Sequence, residues 1–271
     1  MLGNIGKMAI SAVFGVSMAM AASTMAMAED LEGILAKKKI VIGVQNDVPP
    51  YSQIDENNKP IGLDIDVATE IAKRLDVDLE LAVLTGANRV PYLISNRVDA
   101  VIATIGITPE RREAIGFTRP YLVFRTVMVA PESNPVTSNE TIGKSRVGVT
   151  RGTMMDPLIT KGAPAGTNIQ RFDDDATTAV ALVTGQVDMI PTGESIVMEI
   201  IRQNPDRNLE IKYVMASTYA GIGVNKSNAA LIERLDQVVT EMEADGTLGA
   251  IYKKWIGNDM PELPKSVDEI E

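Results

Sequence analysis

The stretch Asp99-Ala-Val-Ile-Ala-Thr-Ile-Gly-Ile-Thr-Pro-Glu-Arg111 constrains the fold of this chain more than any other. Residues 100–105 form a short, mostly apolar and β-branched run, which suits a central parallel strand. Thr108 fits the N-cap of a helix, and Pro109 its first position, where a missing N–H is harmless. A strand that runs straight into a helix is the building unit of an α/β protein. The same junction has a chemical use. A helix start presents free backbone N–H groups and the positive end of a dipole to an anion. Arg111, in the first turn, can add a forked guanidinium that grips a carboxylate at two points, or it can sit in a surface ion pair.

The alternation runs along the chain. Lys39–Val44 reads as a first strand, with a turn at Pro49-Pro50-Tyr51. Residues 64–75 place Val67, Ala68, Ile71, Ala72 and Leu75 at helical spacing, with Glu70 and Arg74 paired at i,i+4 on the other face. Residues 79–84 read as a strand, and Asn88 as the cap of the next helix. Past Tyr121, residues 146–150 read as a strand and Gly152-Thr153 leads into a short helix. Asp174 or Asp175 caps a helix that stops at Gly185, and residues 187–190 read as a further strand. Leu93-Ile-Ser-Asn-Arg-Val98-Asp99 and Leu182-Val-Thr-Gly-Gln-Val187-Asp188 share their spacing, which suggests two lobes built on one plan. The tail is helical: Leu231, Leu235, Val238, Val239 and Met242 share one face, Gly246 is a stop, and a short helix carries Ile251, Tyr252 and Trp255. The methionines after residue 28 are expected to be core filler.

Residues 1–28 are expected to be a cleaved signal peptide. Lys7 is a minimal positive start, residues 8–20 are apolar but too short to span a bilayer, and Ala26-Met27-Ala28 is a small-residue cleavage site. Losing Lys7 with this leader takes the formal charge from −10 to −11. An acidic chain without a basic run argues against nucleic acid and anionic membrane surfaces as partners. The chain contains no cysteine and no histidine. That removes disulfides, thiolate and histidine metal sites, cysteine nucleophiles and Ser-His-Asp chemistry. It also removes lipidation at an N-terminal cysteine, so the exported protein is expected to diffuse freely in the periplasm, without membrane insertion. No cofactor, metal ligand or catalytic residue is assigned.

Taken in order, several motifs make the chain resemble the periplasmic solute-binding proteins of amino-acid ATP-binding-cassette importers, the family 3 type. They are Val44-Gln-Asn-Asp-Val-Pro-Pro-Tyr51, Gly62-Leu-Asp-Ile-Asp66, Asn88-Arg-Val-Pro91, the Asp99 to Arg111 stretch and Phe117-Thr-Arg-Pro-Tyr121. Arg151-Gly-Thr153, Phe172-Asp-Asp-Asp175, Asp245-Gly-Thr-Leu248 and Lys254-Trp-Ile-Gly257 complete the set. The resemblance implies a two-lobed α/β fold of the type 2 periplasmic-binding kind, with ligand closed between the lobes. It places lobe 1 at residues 31–121 plus 223–271, lobe 2 at 125–215, and hinge strands near 122–124 and 216–222. It also implies a small carboxylate or amino-acid ligand, an inner-membrane permease as partner, and a monomer.

The same resemblance implies site residues. Arg111 matches the arginine that grips the ligand's α-carboxylate. Gly106 stands where a hydroxyl residue is usual and can still offer a backbone N–H. Thr104 is an expected cleft contact, and Tyr51 the nearest aromatic, since Val48 stands where relatives carry an aromatic platform. Thr153 keeps a backbone contact, while Met154 replaces a hydroxyl with an apolar group. Gly193 stands where an aspartate usually meets the ligand's ammonium. Glu194 can take over that role or point to solvent. Asp47 and Gln45 line the same mouth and can also meet an ammonium. Arg89 resembles an arginine that meets a side-chain carboxylate in members that bind acidic amino acids. The alternative is an ion pair with Asp64 or Asp66. With both Arg89 and Arg111 in the cleft, the ligand would carry two acidic groups.

Two other functions fit the same residues. One is a dehydratase of the same fold acting on a prephenate-like dicarboxylate, with a desolvated Glu194 as general acid. The other is a sensory role, delivering ligand to a receptor kinase.

Overall fold

The computed structural model describes residues 30–270, so the expected leader, 1–28, lies outside the described residues. In chain order the elements are α1 (Leu31–Lys37), β1 (Lys39–Val44), β2 (Asp47–Val48), β3 (Ser52–Ile54), β4 (Pro60–Ile61), α2 (Leu63–Leu75), β5 (Asp78–Val83), α3 (Arg89–Ile94), β6 (Ala100–Val101), α4 (Pro109–Ala114) and β7 (Gly116–Pro131). They continue with β8 (Arg146–Thr150), α5 (Met155–Gly162), β9 (Asn168–Phe172), α6 (Asp175–Val183), β10 (Ile190–Gly193), α7 (Glu194–Gln203), β11 (Leu209–Val224), α8 (Ala229–Ala244) and α9 (Thr247–Ile256). No helix among the described residues is long and apolar enough to cross a membrane.

One sheet runs β10-β7-β11-β6-β1-β5. β1 is its apolar centre on one side, with Ile40, Ile42 and Val44 fully buried, parallel to both β5 and β6. The helical stripe Val67, Ala68, Ile71, Ala72 and Leu75 is buried in one cluster with Leu231, Leu235, Val238, Val239 and Met242 of α8. Glu70 and Arg74 pair on the outer face at 2.8 Å.

β7 and β11 are 16 residues each and pair antiparallel from Leu209 opposite Pro131 to Val224 opposite Gly116. Their two ends feed different cores. Tyr121, Leu122 and Phe124 belong to the cluster of β1 and α2, whereas Val127 and Val129 join Ala181, Leu182 and Val197 of α6 and α7. On β11, Leu209 sits in the second core and Ala220, Ile222 and Val224 in the first.

The repeated Val-Asp has a structural meaning. Val98 and Val187 are both buried. Asp99 accepts the Val41 N–H of β1 at 2.7 Å, and Asp188 accepts the Arg146 N–H of β8 at 2.7 Å. Each aspartate ties down the start of a strand in its own core, so the two passages are equivalent parts of two similar units.

Some boundaries differ from the sequence reading. The expected strand 100–105 is only Ala100–Val101, because Thr104 adopts a left-handed φ of 47° that no strand continues. Asn88 makes no side-chain cap: a 3-10 turn, Gly86–Asn88, runs directly into α3. The strand expected at 187–190 begins at Ile190 and ends at Gly193. Met128, Met189 and Met242 are fully buried, as core filler should be, but Met198 is 59% exposed.

Candidate functional site

The two units meet over a cleft of 40 Å³. Eight of the ten ligand contacts expected from the sequence line it: Gln45, Tyr51, Arg89, Thr104, Gly106, Arg111, Thr153 and Met154. Val48, Phe124, Met155, Thr192, Gly193 and Ile196 complete its wall with Asp175, whose part in it the sequence reading missed. Small-ligand sites are usually ~300 Å³ or more, so a ligand enters only with the lobes further apart.

Thr108 caps α4 by accepting the Arg111 N–H at 3.3 Å, with Pro109 in the first turn. The Arg111 guanidinium then folds back, donating through Nη1 to Gly106 O at 3.0 Å and through Nη2 to Gly152 O of the opposite unit at 3.1 Å. Arg89 is only 4% exposed and donates to Gly86 O, Ala103 O, Gln45 Oε1 and the same Gly152 carbonyl. Among the described residues neither arginine has a carboxylate within ion-pair distance. The ion pairs once open to Arg89 are not made. Asp64 accepts from Tyr121 and Thr104 instead, and Asp66 from Lys254 and Trp255. Burial pushes the Arg89 pKa down, and burial together with the Arg89 charge pushes Arg111 down to about 9. Two cations held this way make the cleft favourable to an anion.

Thr104 reaches the cleft through its backbone turn. Its hydroxyl points the other way, donating to Asp64 Oδ2 at 2.8 Å, while Tyr121 OH donates to Asp64 Oδ1 at 2.8 Å. Asp64 is fully buried, and desolvation raises its pKa to about 6 against the pull of those two donors. Between the ordinary carboxylate range and pH ~6 the folded chain therefore holds a proton that the unfolded chain has released. The stability tied to Asp64 falls as pH rises through that window. Asp64→Asn keeps an acceptor and a polar partner without the charge. Its stability relative to the parent is expected to improve by up to about 3 kcal/mol between pH ~4 and pH ~7, read by denaturant unfolding. A difference that does not move with pH would mean that Asp64 stays charged throughout.

Direct bonds join the two sides. Gln45 Nε2 donates to Asp175 Oδ2 at 3.1 Å, and Tyr51 OH to Ser195 Oγ at 3.3 Å. Asp47 Oδ2 accepts the backbone N–H groups of Asp175 and Ala176 at 3.0 and 3.3 Å. Asp47 thus caps α6 from across the cleft, and its carboxylate is not among the groups lining the cavity. Glu194 also lies outside the cavity. Its side chain is 33% exposed and forked with Arg125, at 2.7 Å to Nε. The space that a side chain at Gly106 would need is already filled: a Cβ there would lie 2.9 Å from Thr218 Cγ2 and 3.4 Å from Met154 Sδ. The apolar Met154 and the bare Gly106 are therefore complementary departures.

The family profile of bacterial extracellular solute-binding proteins, family 3, matches residues 40–258. The chain belongs to this family. The L-cystine-binding protein TcyJ of Escherichia coli (strain K12) is 26% identical to this family 3 protein over 266 residues, 96% of this chain and 98% of the relative. The ABC transporter arginine-binding protein 1 of the same strain is 30% identical over 227 residues, 82% of this chain and 93% of the relative. Among solved structures, the solute receptor for L-cysteine of Neisseria gonorrhoeae superposes with a TM-score of 0.79 at 30% identity, covering 84% of this chain and 94% of that one. The family 3 protein has the two-lobed α/β fold of these binding proteins, and it is a solute-binding protein rather than an enzyme. A dehydratase role for Glu194 is set aside with that result; its carboxylate is paired with Arg125 and does not line the cavity.

Proposed function

We propose that this protein is the substrate-capturing component of an ABC importer for an amino acid. It closes its lobes on the ligand outside the cytoplasm and delivers it to the membrane permease. The observation that supports this reading best is the pair of guanidiniums, buried Arg89 and half-buried Arg111, which share one carbonyl and, among the described residues, touch no carboxylate. Arg111 has donors to spare after its two backbone bonds and takes the ligand's carboxylate. Arg89 is nearly saturated by backbone and amide oxygens, and acts mainly through its field. Relatives named for cystine and arginine support an amino-acid ligand, and the positive cleft favours a neutral zwitterion or an acidic one over a cationic one. In this reading lobe 1 comprises residues 31–121 plus 223–271 and lobe 2 residues 125–215. The leader is removed after Ala28, and the mature protein works as an unanchored periplasmic monomer.

A thermal-shift screen of the protein, unfolded and refolded to strip carried-over ligand, tests the reading. Its panel is the common amino acids, L-cystine and dicarboxylates. A bound amino acid at about a hundred times its Kd should add ~2.7 kcal/mol of stability. For a domain of this size that raises Tm by roughly 5–10 °C. No shift with any amino acid, alongside a shift with carboxylates that lack an amine, would overturn it.

A further inference from the structure

An amino acid brings an ammonium as well as a carboxylate, and the acidic groups expected to meet it are engaged elsewhere. Gly193 has no side chain, and a Cβ there would lie 3.2 Å from Ile196 Cδ1. Glu194 is held by Arg125, Asp47 by the first turn of α6, and Asp64 by Tyr121 and Thr104. Among the described residues that line the cavity, Asp175 is the one acidic side chain.

We propose, resting on the amino-acid reading above, that Asp175 receives the ligand's ammonium and so replaces, from the start of α6, the carboxylate absent at position 193. Thr150 Oγ1 donates to its Oδ1 at 2.8 Å and Gln45 Nε2 to its Oδ2 at 3.1 Å. A carboxylate has about four lone-pair sites, so one bond to each oxygen orients the group and leaves room on both. Thr150 and Gln45 come from opposite sides of the cleft, so the carboxylate is fully oriented as the lobes shut. The charges agree. Arg89 and Arg111 supply two positive charges, and a ligand ammonium adds a third. Without an anionic partner of its own, that third cation would sit desolvated among like charges. Asp175 is placed to be that partner, while the ligand's carboxylate answers Arg111.

The test is calorimetric titration of the wild-type chain and Asp175→Asn with the twenty common amino acids and L-cystine. The tightest binder is then compared with its matching 2-hydroxy acid. The Asn variant is expected to lose about 30-fold or more in affinity for the amino acid, while its affinity for the 2-hydroxy acid changes by no more than about 3-fold. Asp175→Glu, which keeps the charge, is expected to retain the preference for the amine even where its affinity drops. Thermal unfolding of each unliganded variant checks the fold. Equal losses for amine and hydroxyl ligands, or no loss, would overturn the role of Asp175 and leave the importer reading standing. If the wild-type chain binds no amino acid, both readings fall together.

Discussion

Gly152→Ala is expected to wedge the lobes apart while leaving each of them folded. Gly152 lies at φ 71°, and a Cβ built on it would sit 2.4 Å from Ala87 Cα, 2.7 Å from Ala87 N and 2.8 Å from Gly86 O. All three atoms are backbone on the opposite side of the cleft, so no side chain can swing away to make room. The left-handed conformation adds a local cost of about 1–2 kcal/mol for alanine. The larger effect is on closure. The Gly152 carbonyl is where Nη2 of Arg89 and Nη2 of Arg111 converge, and displacing it strips a hydrogen bond from both. Charge-assisted bonds of this kind are worth about 1.5–3 kcal/mol each. Affinity for the amino acid identified by the screen should therefore fall by at least about 100-fold. Small-angle scattering should report a larger radius of gyration for the variant with that amino acid present. An unchanged radius and unchanged affinity would mean that this contact is not part of the closed state.

Arg111→Met should separate binding from stability. The substitution removes a cation whose burial, with Arg89 alongside, has already pushed its pKa down to about 9. Replacing a buried charge by an apolar side chain of similar reach is often neutral or stabilising by about 1–4 kcal/mol. The unliganded variant should melt at the same temperature as the parent or higher. The ligand's carboxylate, by contrast, loses its forked partner and is left buried, a change that typically costs about 2–5 kcal/mol, or roughly 30- to 5,000-fold in Kd. Arg111→Lys keeps a point charge without the fork and should fall between the two. A variant that binds normally, or that loses stability in proportion to affinity, would remove Arg111 from the binding role.

What the sequence revealed and what it hid divide along a physical line. The Thr108 cap, Pro109, the α2 stripe and the α8 face depend on residues a few positions apart, and local periodicity reports them directly. The equivalence of Asp99 and Asp188 was visible as spacing, although its cause, a carboxylate tying down a strand, was not. The features that local sequence left undecided depend on partners far along the chain. Asp47 is taken up by α6, more than a hundred residues away. Glu194 is claimed by Arg125 and Asp175 is held by Gln45, and neither pairing leaves a trace in local sequence. The turn at Thr104 was hidden for another reason. A β-branched residue in a left-handed turn is rare, and it is held there by a buried carboxyl that the sequence shows only as one more aspartate on a helix.

The pairing of β7 with β11 has a consequence for motion. Both crossings between lobes are neighbouring rungs of one antiparallel ladder, and that ladder carries register shifts at Val214/Ala216 and Ala220/Gly221. Bulges bend and twist a ladder locally without breaking it. Sliding one lobe past the other would tear rungs, whereas flexing at the irregular ones would not. The molecule is therefore expected to open like a book with a two-strand spine, with one angle describing its travel and each page turn returning Gly152 to the same two arginines.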